Sequence, residues 1–275
     1  MRTRESRNEI LLTEENVGRC APIRIRQPEN TYHLTPGSRI SLLTIDKRQE
    51  LLSGIGIDWG CGTGCLAIAV SKIPAVQRVI GLDNSGPDVW AARENALLNG
   101  VADRVTFLHS DSFRPLAEAD RHVMDGLEGA VDFVVANPSA SSGDDGFSLR
   151  RRVIAEASAF LKDGGLVWLQ ISIQYSIARI DALTRDNPAY GYVGVLGSTP
   201  WVSFDLHRRD LRILLDGYAA EERRGGLCYE FGDPRNGGAS TLSANAALDL
   251  YREFKASPLT QWQVHAFRYR PSAWS

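Results

Sequence analysis

The residues with chemistry to offer stand where apolar runs break off. After "IGI" come Asp58, Trp59, Gly60, Cys61, Gly62, Thr63 and Gly64, three glycines at alternate positions behind an acid, followed by "CLAIAV". Glycine lets a backbone turn tightly and approach a ligand closely, and a following helix offers N–H groups to a polar or anionic group. Such a loop suits a small cofactor. Its spacing, G-x-G-x-G, departs from the dinucleotide fingerprint G-x-G-x-x-G and from the phosphate loop G-x-x-x-x-G-K-[ST], so NAD and a phosphate-loop nucleotide are disfavoured. A second break, "VDFVVANPSA", ends on Asn137, Pro138, Ser139 and Ala140. The asparagine carboxamide both accepts and donates hydrogen bonds. Neither H-E-x-x-H nor G-x-S-x-G occurs, so neither that metal centre nor a hydrolase elbow is expected; no metal ligands are assigned.

Strands and helices must carry these breaks. "IGIDWG", "RVIGLD", "RVTFLHSD", "AVDFVVANP" and "LVWLQISI" have the short apolar character of buried strands. Between them, "GCLAIAVSKI", "DVWAARENALLNG" and "FSLRRRVIAEASAFLKDGG" have helical character, the last two closed by Gly100 and Gly164. The alternation predicts a doubly wound α/β fold, in which ligands bind outside the carboxyl ends of the strands. Asp83 and Asn84 end the second strand, and Asp111 and Ser112 the third. A carboxylate such as Asp83 can accept hydrogen bonds from both hydroxyls of a ribose.

The loop from Asp58 to Gly64 resembles the first motif of the class I S-adenosylmethionine (SAM)-dependent methyltransferases. "ANPSA" resembles the N-P-P-Y motif of members that methylate planar nitrogen, among them the glutamine-N5 and small-domain rRNA methyltransferases. The resemblance covers roughly residues 35 to 172 and implies a Rossmann-like, mostly parallel seven-stranded sheet whose seventh strand is antiparallel, supplied here by "WQVHAFRYR". It implies SAM as cofactor and S-adenosylhomocysteine as product. Gly60, Cys61, Gly62 and Gly64 would meet the cofactor's backbone-facing side, Asp58 its amino-acid end, Asp83 with Asn84 its ribose, and Asp111 with Ser112 its adenine. Asn137 and Pro138 would be the catalytic pair, Asn137 bordering the cofactor as well. Ser139 stands where the family has a second proline and Ala140 where it has an aromatic ring, so the usual stacking platform is missing.

Outside that span, "TYHLTPGSRISLLTID" sits where the glutamine-N5 relatives have a proline-containing segment that lines the substrate site, which makes Tyr32 and His33 substrate-binding candidates beside Ser139. "NPAYGYVGVLGSTPWVSFDLH" offers Trp201 as a flat wall for the acceptor, or else a twisted strand and hairpin with buried rings. We divide the chain into an arm or lid over residues 1–40 and one SAM-binding domain over 41–275, elaborated from about residue 175. The loop "SSGDD" could complement a cationic substrate through Asp144 and Asp145 or be a plain polar turn.

Charge narrows the partners. With 31 Lys and Arg against 33 Asp and Glu, the formal net charge is -2, which gives no electrostatic drive toward nucleic acid or membrane. The four cysteines lack zinc or disulfide spacing, and the charged N-terminus lacks the apolar run of a secretory signal, so a cytoplasmic protein is expected. Methylation of nitrogen, or less favourably oxygen, on a small metabolite is the leading expectation, with an oligomer or accessory protein left open. One alternative is a SAM-binding fold that performs another reaction or only binds. Another is a protein-glutamine or rRNA methyltransferase.

Overall fold

Continuous apolar runs become strands buried on both faces, because consecutive side chains point to opposite sides of a sheet. The computed structural model describes residues 9–31, 33–141 and 143–271. In it β1 (Gly54–Trp59), β2 (Val76–Asp83), β3 (Val105–Asp111), β4 (Val131–Ala136) and β5 (Leu161–Gln170) are parallel. β6 (Tyr190–Ser198) and β7 (Gln263–Tyr269) follow, β7 lying antiparallel between β5 and β6. The strand order is β3-β2-β1-β4-β5-β7-β6, extended beyond β3 by the two-residue strand Arg114–Pro115. That extra edge gives this sheet eight strands among the described residues where seven were expected.

Each face packs against its own layer. Val79, Phe133 and Val135 meet α1 (Pro36–Lys47), α2 (Cys65–Ser71) and α3 (Gly86–Leu98) through Leu42, Ile45, Ile68 and Val89. Their chain neighbours Ile80 and Val134 turn to the other face, with Val153 and Ile154 of α4 (Ser148–Ala157) and Ile180 of α5 (Ser176–Asp186). The helix expected to reach Gly164 ends at Ala157, because Leu161 already pairs with Val131 and Phe160 stacks on Phe113 at 5.2 Å. Past β6, α6 (Arg209–Arg223), α7 (Ala244–Phe254) and a sheet of four two-residue strands pack on the same side as α4. None of the described helices is long and apolar enough to cross a membrane.

Before α1, whose span straddles residue 40, the strands Glu9–Leu12 and Ile23–Arg26 form an antiparallel pair. Buried Asn95 ties this pair to the rest: its Oδ1 accepts from the Arg26 amide at 2.8 Å, and its Nδ2 donates to the carbonyls of Arg26 and Thr63, each at 3.0 Å. Asn95→Leu leaves three backbone groups without their partner and is expected to cost about 2–4 kcal/mol of stability. Chemical denaturation measures this, and a loss under about 0.5 kcal/mol, the scale of a neutral surface change, would contradict it.

Candidate active site

The strand order reverses between β1 and β4, and the crevice of such a fold opens there. At that point a cavity of about 250 Å³ is lined by Trp59, Gly60, Asp83, Asn84, Ser85, Asp88, Asp111, Ser112, Asn137, Pro138, Ser139, Leu149 and Arg152. Strand ends far apart in sequence therefore converge, as the alternation of elements requires.

The glycines divide the labour of the first loop. Gly60, at φ +67°, faces the cavity, and a Cβ there would meet nothing within 4 Å. Gly62, at φ +51°, donates its N–H to Asp83 Oδ2 at 2.8 Å. Gly64, at φ +86°, lies so close to the third strand that a Cβ would sit 2.8 Å from the Phe107 ring. Cys61 is buried, its Sγ directed to the Gly62 carbonyl. Gly62, Gly64 and Cys61 thus shape the loop from behind, whereas Gly60 borders the space.

Two carboxylates underlie this loop. Asp58 is fully buried; its Oδ2 accepts from the Ala67 amide at 2.8 Å, and its Oδ1 has no partner among the described residues. Burial pushes its carboxyl up to about 7, against the Ala67 N–H that favours the charged form. Asp83 accepts from Gly62 and, through Oδ1, from the Ser85 amide at 2.8 Å, and burial raises it too. An orphaned buried acid, a second acid on the cavity wall and an open glycine are features that SAM fits, with a cation, a ribose and a close-approaching chain.

Across the cavity, Asn137 Nδ2 donates to Ser38 Oγ at 3.0 Å. Ser38 belongs to the first turn of α1, where Thr35 caps the helix by accepting from the Ser38 amide at 3.2 Å and Pro36 occupies the opening turn. A Cβ on Gly37 would lie 2.8 Å from Asn137 Oδ1. Gly37→Ala should therefore turn the carboxamide and lower kcat by about tenfold or more, with SAM affinity unchanged. Initial rates beside calorimetric titration test this; equal loss of both would contradict it.

Other expected residues are used differently. Asp111 lines the cavity, but its Oδ1 pairs with Arg152 Nη1 at 2.8 Å, and Arg152 also holds Glu156. The Ser112 hydroxyl accepts from Trp59 Nε1 at 2.7 Å. Asn84 borders the cavity with its carbonyl 3.1 Å from His109 Nε2. Trp201 is corrected: it packs over Gly232 and Gly238, where Cβ atoms would come within 2.7 and 2.6 Å of its ring, and is not on the cavity wall. His33 is exposed and also off that wall, and Tyr32 lies outside the described residues. Asp145 is committed to Arg151 at 2.6 Å and Arg179 at 3.3 Å, which holds its carboxyl below the usual range despite burial.

Ser38, Gly37 and Arg152 escaped the sequence reading, which named Trp59 only as part of the first loop. Only the cap pattern "TPGS" signalled the α1 start, and it says nothing about a partner 99 residues away.

The family model for the methyltransferase small domain matches residues 31–184, more than half of the chain. A release factor glutamine methyltransferase from Thermodesulfovibrio yellowstonii is 27% identical over 172 residues, 56% of this chain and 61% of that protein. Ribosomal RNA small subunit methyltransferase C from Alcanivorax borkumensis is 31% identical over 137 residues, 50% of this chain and 38% of that protein. These matches thus span less than two thirds of each relative. A T. thermophilus 16S rRNA N2 methyltransferase solved with AdoMet and guanosine has the same fold, with a TM-score of 0.52 at 18% identity over 68% of this chain and 48% of that one. The expectation of a small-molecule acceptor, with nucleic acid set aside, is overturned by these relatives, which are named for a release factor and for ribosomal RNA. By the match over residues 31–184, the chain belongs to the methyltransferase small domain family.

Proposed function

We propose that this enzyme methylates the carboxamide nitrogen of a side chain in a protein of the translation apparatus. The observation that carries the proposal is the Asn137 carboxamide, fixed through Nδ2 by Ser38 and bordering the same cavity as Gly60 and Asp83. With Nδ2 committed, Oδ1 is the atom left to accept an N–H from the acceptor. An amide is a small flat group and needs less of a stacking surface than a base. That fits a wall made of Pro138, Ser139 and Leu149, with alanine at position 140. The longer relative match, to a release factor glutamine methyltransferase, supports the same acceptor class.

SAM, when bound, supplies a methyl group on a positive sulfonium, which is already activated. The chain's part is to bind, orient and exclude water. Asp58 Oδ1, buried just behind the cavity wall, would hold the ammonium of the cofactor's amino-acid end, Asp83 would hold the ribose hydroxyls, and the edge beside Asp111 and Ser112 the adenine. Gly60 lets the backbone come close. Asn137 Oδ1 and the Pro138 carbonyl align the acceptor nitrogen.

Asp58 makes this binding depend on pH. Its folded-state value of about 7 lies above the ordinary 3.8, so without cofactor the folded protein holds a proton through that window and loses this stabilisation as pH rises across it. Pairing with an ammonium requires the carboxylate. SAM affinity is therefore expected to fall by up to about tenfold per pH unit below pH 7, with proton release on binding near neutrality. Calorimetry in buffers of differing ionisation enthalpy reads the release, and Asp58→Asn should abolish it. Identical heats in all buffers would remove Asp58 from the contact.

The acceptor class is tested with methyl-labelled SAM and a ribosome-containing extract. Label in the acid-insoluble fraction that protease releases and nuclease does not supports a protein acceptor; nuclease-released label would transfer the assignment to RNA.

A further inference from the structure

The loop after β4 lacks the second proline and the aromatic ring of N-P-P-Y sequences, with Ser139 and Ala140 in their places. Serine leaves φ free where proline would fix it, so the position of Asn137 needs another restraint. A buried arginine supplies one. Arg150, third residue of α4 and 2% exposed, uses all five N–H groups of its guanidinium. Nε donates to the Gln170 carbonyl at 2.9 Å, and Nη1 to the carbonyls of Ser139 at 3.3 Å and Gly146 at 3.4 Å. Nη2 donates to the Pro138 carbonyl at 2.9 Å and to Gln170 Oε1 at 3.2 Å. The Tyr175 and Phe147 rings face the cation at 4.9 and 5.7 Å.

Every one of these acceptors is neutral, and among the described residues no carboxylate pairs with Arg150, whereas its neighbours Arg151 and Arg152 hold Asp145 and Asp111. A cation in the first turn of a helix opposes the macrodipole, and burying it without a counter-charge adds a desolvation cost. That unfavourable placement is offset by a rigid fork that binds two successive carbonyls of the acceptor loop and joins them to β5 and to Gly146.

We propose that Arg150 is the positioning residue of the acceptor site, holding the Pro138 and Ser139 carbonyls so that Asn137 meets the acceptor nitrogen in one orientation. This rests on the acceptor-orienting role argued for Asn137.

The test uses the full chain, saturated with SAM, as wild type, Arg150→Lys and Arg150→Met. Amide hydrogen exchange over residues 138–148 is expected to quicken at least about tenfold in both variants, with residues 60–67 unchanged. In Arg150→Lys, kcat should fall about 10²-fold with SAM affinity kept within about threefold, a split that general loss of structure would not give. Unchanged exchange in the 138–148 segment overturns the proposal whatever the turnover, and so does parallel loss of kcat and SAM affinity. Unfolding of both variants, seen by circular dichroism, also overturns it, since Arg150 would then support the whole fold. A wild-type protein that transfers no methyl group to protein would sink the carboxamide reading alone, because the exchange measurement still decides the role of Arg150.

Discussion

Asn137→Ala is expected to lower kcat by about 10²- to 10³-fold, the scale of removing one preorganised polar group from a reacting centre. SAM affinity should stay within about twofold, since Gly60, Asp58 and Asp83 are untouched. The split follows from geometry. Asn137 Nδ2 is held by Ser38 at 3.0 Å, and the Gly37 backbone lies close behind Oδ1, so the carboxamide is fixed before any acceptor arrives. In-line transfer from a sulfonium asks mainly for orientation, and misplacement by about 1 Å can cost about 10²-fold. Ser38→Ala removes the anchor together with the hydroxyl that accepts from the Thr35 amide at 3.2 Å, and should give a smaller loss in the same direction. Rates within about threefold of wild type for Asn137→Ala would exclude Asn137 from the transfer step.

Asp83→Ala is expected to weaken SAM binding by about 10²-fold or more. Its two oxygens accept from the amides of Gly62 and Ser85, both at 2.8 Å, joining the glycine loop after β1 to the turn after β2. Removing the carboxylate takes a partner from two amides and, in the binding mode proposed, two acceptors from the ribose, a loss of about 3 kcal/mol or more if each contributes about 1 kcal/mol. Asp83→Asn keeps one acceptor and should fall between the two. Titration calorimetry decides, and a Kd for Asp83→Ala within threefold of wild type would contradict the assignment.

What could be read from the sequence was local. Asp58 to Gly64, Asp83 and Asn137 each stand at the end of an apolar run, so the alternation of strands and helices was enough to bring them to one edge of one sheet. Contacts between distant segments were not encoded in such patterns. Nothing in "TPGS" announces that Ser38 will hold Asn137, and nothing in three successive arginines announces that Arg150 will be buried and Arg152 paired with Asp111. Trp201 misled because a ring following Gly191, Gly194 and Gly197 suits a pocket wall, yet it packs over Gly232 and Gly238, two glycines of a later segment. The acceptor was misjudged for a different reason: a net charge of -2 sums the whole surface and says little about the few residues around one cavity. The missing aromatic at Ala140 speaks to the size of the platform, and the size of the molecule bearing the target group is a separate matter.

The most direct test of the carboxamide assignment is tandem mass spectrometry of the protein that takes up methyl from SAM in the presence of this enzyme. One added methyl is expected on the side-chain amide nitrogen of a glutamine or asparagine, with S-adenosylhomocysteine formed in equal amount. A methyl found on a lysine amine, on a carboxylate oxygen or on an RNA base, or no transfer at all, would contradict it.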